Sequence, residues 1–135
     1  MIDKFEMMEL LVNACPSYQS RWRDYFASEY GNGEQRLVYI DIFDFNDHIV
    51  SLYKKNLTDE FNEVFRVIEL LHNNGDDYVK EAATIGILEG IQNLSGNTGL
   101  DPEVFVKYLH PTSKIWWDKL NRFWSGDTKA LRDDG

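Results

Sequence analysis

A single cysteine, Cys15, stands in a chain of 135 residues. No internal disulfide can form, which excludes a secreted disulfide framework. Long apolar runs are missing too: none approaches the ~20 residues needed to span a bilayer. The opening segment is interrupted by Asp3, Glu6 and Glu9, where a signal peptide needs an unbroken apolar stretch. These absences lead to the expectation of a cytoplasmic protein. Bases are scarce, 14 against 23 acids, for a formal charge of −9. That deficit argues against tight nucleic-acid binding, where phosphate neutralisation by Lys and Arg supplies most of the affinity. It argues equally against adsorption on an anionic membrane. A glycine-serine-glycine elbow, a phosphate-binding glycine loop and zinc-ligand spacing are all lacking.

What is present is enough apolar material for a core: 43% of residues are hydrophobic and 14% aromatic, as expected of one folded domain of this length. Phe5, Met8, Leu11, Val12 and Cys15 recur at helical spacing, and Pro16 ends that stretch. Tyr18, Trp22, Tyr25, Phe26 and Tyr30 form a second stripe, closed by Gly31-Asn32-Gly33. Leu37 to Ile40 is β-branched and aromatic enough for a short extended piece. From Asp41 to about Lys55, Ile42, Phe45, Ile49, Leu52 and Tyr53 follow the 3.6 period. Thr58 is the expected N-cap of the next helix, with Asp59 and Glu60 in its first turn. Phe61, Val64, Phe65, Ile68 and Leu71 form its buried stripe, and Gly75 stops it. Asp76 or Asp77 caps a fifth helix that runs to about Leu94.

That fifth helix is apolar nearly all round and carries Ala82, Gly86 and Gly90 four apart, which predicts a central helix with close neighbours. Ser95 to Leu100 reads as a loop, and Asp101-Pro102-Glu103 opens a short helix. Pro111 breaks it. Ser113 to Trp124 is a last amphipathic helix burying Trp116, Leu120, Phe123 and Trp124. The fold expected is all-α: one helical domain of six or seven helices over residues 1–125, and a polar tail over 126–135.

Glu69 and His72 are three apart, the spacing with which di-iron bundles place two ligands on one helix. The only partner motif, Glu89 to Gln92, has glutamine where histidine is needed. Glu69 also shares its helix face with Asn62, Arg66 and Asn73. The preferred reading is a solvated glutamate, paired with Arg66, beside a half-buried histidine, with no metal. Asp44, Asp47 and His48 lie on one helical face and read as a solvated face rather than a cation site. Glu89, in the most apolar helix, needs an arginine, a helix N-terminus or an aromatic hydroxyl as partner; Arg21, Arg23 and Arg122 are candidates. A structural tie is preferred to a catalytic acid, because no base or nucleophile accompanies it. Cys15 reads as core. The tryptophans Trp116, Trp117 and Trp124 read as core plus one exposed ring, with Trp117 available to anchor a protein interface.

The charge is unevenly spread. Between Asp59 and Glu103 there are ten acids and two bases. Many of these acids sit at expected helix starts, so helices of alternating direction would gather them at one end. Such a patch serves solubility or a basic protein partner.

The pattern Phe65-x-x-Ile68-Glu69-Leu70-Leu71, then Gly75-Asp76, Ala82-Ala83, Gly86-Ile87-Leu88-Glu89-x-x-Gln92-Asn93, Trp117-x-x-Leu120 and Phe123-Trp124 resembles small all-helical bacterial immunity proteins. These belong to toxin–immunity systems, including those of contact-dependent growth inhibition. The resemblance covers about half the chain. It implies a cytoplasmic protein that binds one cognate toxin, often a nuclease with a basic surface, and it implies no catalytic residue. The expectation is therefore an immunity protein without cofactor or metal, binding a basic toxin through Asp41, Asp44, Asp47, Asp59, Glu63, Asp76 and Asp77. The competing expectations are a helical-bundle enzyme for a metal or small molecule using Glu69, His72 and Glu89, and an acidic scaffold that imitates nucleic acid.

Overall fold

Asp3 starts the first helix. Its carboxylate accepts from the amides of Phe5 (3.0 Å) and Glu6 (2.9 Å), and the Glu6 side chain accepts from the Asp3 amide in return, a capping box. Helix α1 (Lys4–Ala14) follows, and its buried face is Met7, Met8, Leu11, Val12 and Ala14. Phe5, expected on that face, lies outside it and is 44% exposed. Pro16 ends α1 as expected and opens a 3₁₀ turn (Pro16–Tyr18) that leads into α2 (Gln19–Tyr30). Every aromatic of α2 itself is only partly covered, and the helix buries no residue fully.

Helix α3 spans Val38–Lys54. The extended piece expected at Leu37 to Ile40 shrinks to Leu37 alone (φ −113°, ψ 90°). Strand propensity needs a ladder partner to express itself, and no named strand occurs among the described residues. Helix α4 (Phe61–Asn74) starts after a turn at residues 59 and 60. Thr58, the expected cap, offers its carbonyl to the Phe61 amide (3.1 Å). The cap position belongs to Glu60, which makes no side-chain cap bond because its carboxylate is taken by Ser17. Gly75 ends α4 as expected. A β-carbon there would collide with the Leu71 carbonyl and the Val79 side chain. The same corner receives the chain start, through Ile2 N–H to the Asn74 carbonyl (3.0 Å) and Asp76 N–H to the Ile2 carbonyl (2.9 Å).

Asp76 caps α5 (Asp77–Glu81) through the Val79 amide. The helix continues through a π-helical stretch, Ala82–Leu88, into α6 (Glu89–Asn97). Within the π stretch the Glu89 amide donates to the Thr84 carbonyl, five residues back. Wide turns of this kind loosen the ordinary ladder, and Asn46 of α3 donates to the Gly86 carbonyl (2.9 Å). The predicted close approach is real: β-carbons at Gly86 and Gly90 would press on Ile42, Tyr39 and Asn46 of α3. The loop expected from Ser95 begins later, since α6 runs to Asn97 and Ser95 is fully buried. The short helix after Asp101 is a 3₁₀ helix, Pro102–Tyr108.

Helix α7 (Pro111–Trp124) places Pro111 in its first turn and buries Ser113, Trp117 and Leu120. The expected stripe of Trp116, Leu120, Phe123 and Trp124 is therefore shifted, and Trp124 is exposed. Trp117, suggested as an interface anchor, lies wholly inside. In this computed structural model, which describes residues 1–126, α1 packs on α4, α4 on α7, and α3 on the π stretch and α6 around a single core. The fold is all-α and forms one domain. Beyond Gly126, the expected polar tail over 126–135 lies outside the described residues. No helix among those described is long and apolar enough to cross a membrane.

Candidate partner-binding surface

The three aspartates of α3 are spaced three apart and were expected among the partner contacts, with Asp44 and Asp47 on a solvated face. Asp41 is instead fully buried. Its Oδ1 accepts from the hydroxyls of Tyr25 (2.8 Å) and Tyr30 (2.5 Å), and its Oδ2 faces a nitrogen of Arg36 at 3.3 Å. Burial, reinforced by the Asp41 carboxylate, raises both phenols above the usual tyrosine value. Asp44 accepts from Tyr18 Oη (2.7 Å) and Arg21 (2.7 Å), and Asp47 shares the same arginine at 3.0 Å. Of the three, Asp47 alone remains exposed. The hydroxyls of Tyr18, Tyr25 and Tyr30 and two arginines convert most of this expected surface into a tie between α3 and the segment before it.

The remaining expected contact residues fall into two places. Asp59 and Glu63 lie at the start of α4, both exposed, with Glu63 paired to Arg66 (2.5 Å). Asp76 and Asp77 lie beyond its other end, and a 14-residue helix is about 21 Å long. The seven acids thus form no single patch. Ser17 Oγ bonds His48 Nε2 (2.9 Å) and Glu60 (2.7 Å), drawing the middle of α3 to the start of α4. His48, expected on the solvated face, is held there, with burial as the main cause of its lowered basicity. Cys15 is core, as expected: burial and the Glu60 carboxylate 3.1 Å away push its thiol up to about 12.

Glu69 is not a solvated partner of Arg66. It caps α7, accepting from the amides of Thr112 (3.0 Å) and Ser113 (2.9 Å) and from Ser113 Oγ (2.9 Å). Burial alone would raise its carboxyl, but these donors win and hold it at about 2. His72 is buried rather than half-buried: Nδ1 meets Ser113 Oγ (3.0 Å) and Nε2 meets Thr84 Oγ1 (3.1 Å). Burial depresses its imidazole to about 4, so it is neutral at pH 7. The cluster borders a pocket of about 550 Å³ that is also lined by Lys80 and Trp116. Both imidazole nitrogens and the Glu69 oxygens are engaged in structural bonds. No group of three or more His, Cys, Asp or Glu side chains able to hold a metal lies among the described residues. Glu89 finds no arginine among them; it is half-buried, and desolvation raises its carboxyl.

Sequence reasoning missed two features. At the start of α3, Leu37 (58% exposed), Ile40 (53%) and Phe43 (59%) stand in water beside the partly exposed Tyr39. Leu37, Tyr39 and Ile40 line a groove of about 360 Å³ that is also walled by Lys4, Arg36, Val38 and Tyr78. A signal was present: Ile40 and Phe43 are three apart and off the Ile42–Phe45–Ile49 stripe. The second feature is the position of Arg36, whose guanidinium lies over the rings of Phe5 (4.8 Å), Phe26 (5.3 Å) and Trp22 (5.7 Å). No periodicity announces a contact made by a connecting segment.

The fold and this surface define a small all-α domain with large apolar side chains exposed at the start of α3. The chain belongs to the family described as a domain of unknown function, DUF7674, whose model matches residues 8–125. No curated protein and no solved structure matches it.

Proposed function

We propose that this protein is a cytoplasmic immunity protein that neutralises a basic bacterial toxin, nuclease in type, by protein–protein contact rather than by catalysis. The observation that carries the reading is the ridge of Leu37, Ile40 and Phe43, three large apolar side chains more than half exposed within seven residues. Contiguous apolar surface of this kind marks interaction sites. Asp47 follows Phe43 by one turn of α3, and together with the exposed Asp59 and Glu63 it contributes to the negative field that would steer a basic partner. Asp41 supports the surface from below instead of touching the partner. The resemblance to toxin-neutralising proteins supplies the class of partner.

The test is binding to the product of the adjacent reading frame, measured with purified proteins. Replacing Ile40 and Phe43 together by aspartate should weaken the complex by about 100-fold or more, as loss of two anchors does. Helix content should stay unchanged, because neither side chain is in the core. Reversing Asp47 and Asp59 to lysine should slow association and flatten its salt dependence. Undiminished affinity in the first variant would remove the ridge from the interface. A neighbour product that is not basic, or that does not bind, would sink the immunity reading.

A further inference from the structure

We propose that the rings of Phe5, Trp22 and Phe26, with the carboxylate of Asp41 behind them, form an arginine-recognition site. The chain fills this site with its own Arg36 and yields it to an arginine of a protein partner. The geometry is that of a cation cage. All three ring centroids lie within 6 Å of the Arg36 guanidinium carbon, the range in which aromatic faces attract a cation. A guanidinium suits it better than an ammonium, being planar, weakly hydrated and able to stack.

Two of the three rings and the carboxylate are held without the occupant. Asp41 Oδ1 is held by Tyr25 and Tyr30 without Arg36, while Trp22 stacks on Tyr25 and Phe26 packs on Tyr30. Arg36, by contrast, is an imperfect tenant. Its Nε is buried and has no acceptor, and its one contact with Asp41 is a long 3.3 Å. An unsatisfied buried donor costs stability, so a guanidinium approaching at a better angle has something to gain. Arg36 also sits on the connecting segment between α2 and α3, where residues 31 to 35 are all exposed and Gly33 adopts a positive φ of 78°. Release of one side chain therefore need not disturb a packed element. The way in is provided: Arg36 walls the groove beside Leu37 and Ile40, so a bound chain lying on the ridge would bring its side chains to the cage mouth.

The source of the incoming arginine rests on the reading of this chain as a binder of a basic protein; the cage itself does not. The test uses the full chain and two probes, arginine amide and lysine amide, followed through the Trp22 indole N–H resonance. Arg36→Ala should bind arginine amide saturably in the millimolar range expected of one partly exposed cation–aromatic site, and lysine amide about tenfold more weakly. Wild type should bind arginine amide about tenfold more weakly than Arg36→Ala, since Arg36 competes. Should Arg36→Ala prove unfolded, arginine amide should restore its helical signal, and lysine amide should not. Equal affinity of wild type and variant would place the ligand outside the cage and overturn the proposal. So would the absence of saturable shifts and rescue, or equal rescue by lysine amide. Success here with no toxin binding would overturn only the immunity reading; failure here with toxin binding intact would overturn only the cage.

Discussion

Glu69 and Asp41 are carboxylates that the fold draws away from bulk water, and the two are treated differently. Glu69 meets the amides that begin α7 and the Ser113 hydroxyl, which passes the chain of bonds on to His72 and Thr84. Around it the donors come from packed helices. Asp41 lies deeper, yet one of its three donors comes from Arg36 in an exposed connection, and that arginine leaves a buried nitrogen unpaired. The closed cluster is architecture: it fixes α7 on α4 and on the π stretch. The open one combines a structural charge with a replaceable partner, the arrangement a binding site can use.

The largest effect should come from the deeper charge. Asp41→Ala removes the acceptor of two phenols and the counter-charge of Arg36, and should cost about 3–5 kcal/mol in denaturant unfolding, as breaking a buried ion pair does. A loss under about 1 kcal/mol would mean that water already satisfies this cluster. The next effect is a response to acid. The folded imidazole of His72 titrates at about 4, below the unfolded value of ~6.5. Between these limits the unfolded chain takes up the proton first. Stability is therefore full above pH 6.5 and falls by up to about 3 kcal/mol on descending to pH 4. A His72→Gln variant should show a flatter profile over that window; an identical profile would assign the loss to other groups. Glu69 adds a decline of the same sign below pH 4.5, since its folded carboxyl is held at about 2; it is smaller because Glu69, unlike His72, is only partly buried and water screens part of the interaction. Glu69→Gln keeps an acceptor but loses the charge at the start of α7, and should cost about 1 kcal/mol at pH 7.

The fold was readable where local chemistry decides it, and the surroundings of its polar side chains were less so. Pro16, Gly75 and the Asp101-Pro102 pair punctuate the chain as expected, and the 3.6 period found the buried sides of α3 and α4. It erred in α7, where Trp116, Trp117, Phe123 and Trp124 are equally apolar and only the neighbours determine which ring turns inward. Glu69 looked solvated because on its own helix it is. The start of α7 covers it, and that helix is 43 residues away in sequence. Asp41 was legible in principle: it lies three residues after Val38 and four before Phe45, both buried, so its place on the wheel is inside. Charge outweighed position in that reading. The Arg36 cage depends on side chains from α1, α2 and a connection, a conjunction that spacing within one element does not encode.

The smallest effect tests the other limit of the comparison. Glu63 and Arg66 make the shortest ion pair on the molecule's described surface, at 2.5 Å, yet both side chains are about half exposed (51% and 55%). Water already solvates each charge, and holding two long side chains in one geometry costs the entropy that the attraction returns. Arg66→Ala should therefore change stability by no more than about 0.5 kcal/mol. The longer 3.3 Å contact of Arg36 with Asp41 should matter far more, because Asp41 has no water to fall back on. Measuring Arg66→Ala beside Arg36→Ala in the same denaturant series separates depth from distance. If the exposed pair proved as costly to lose as the buried one, bond length rather than burial would govern these contacts, and the contrast between the two clusters would collapse.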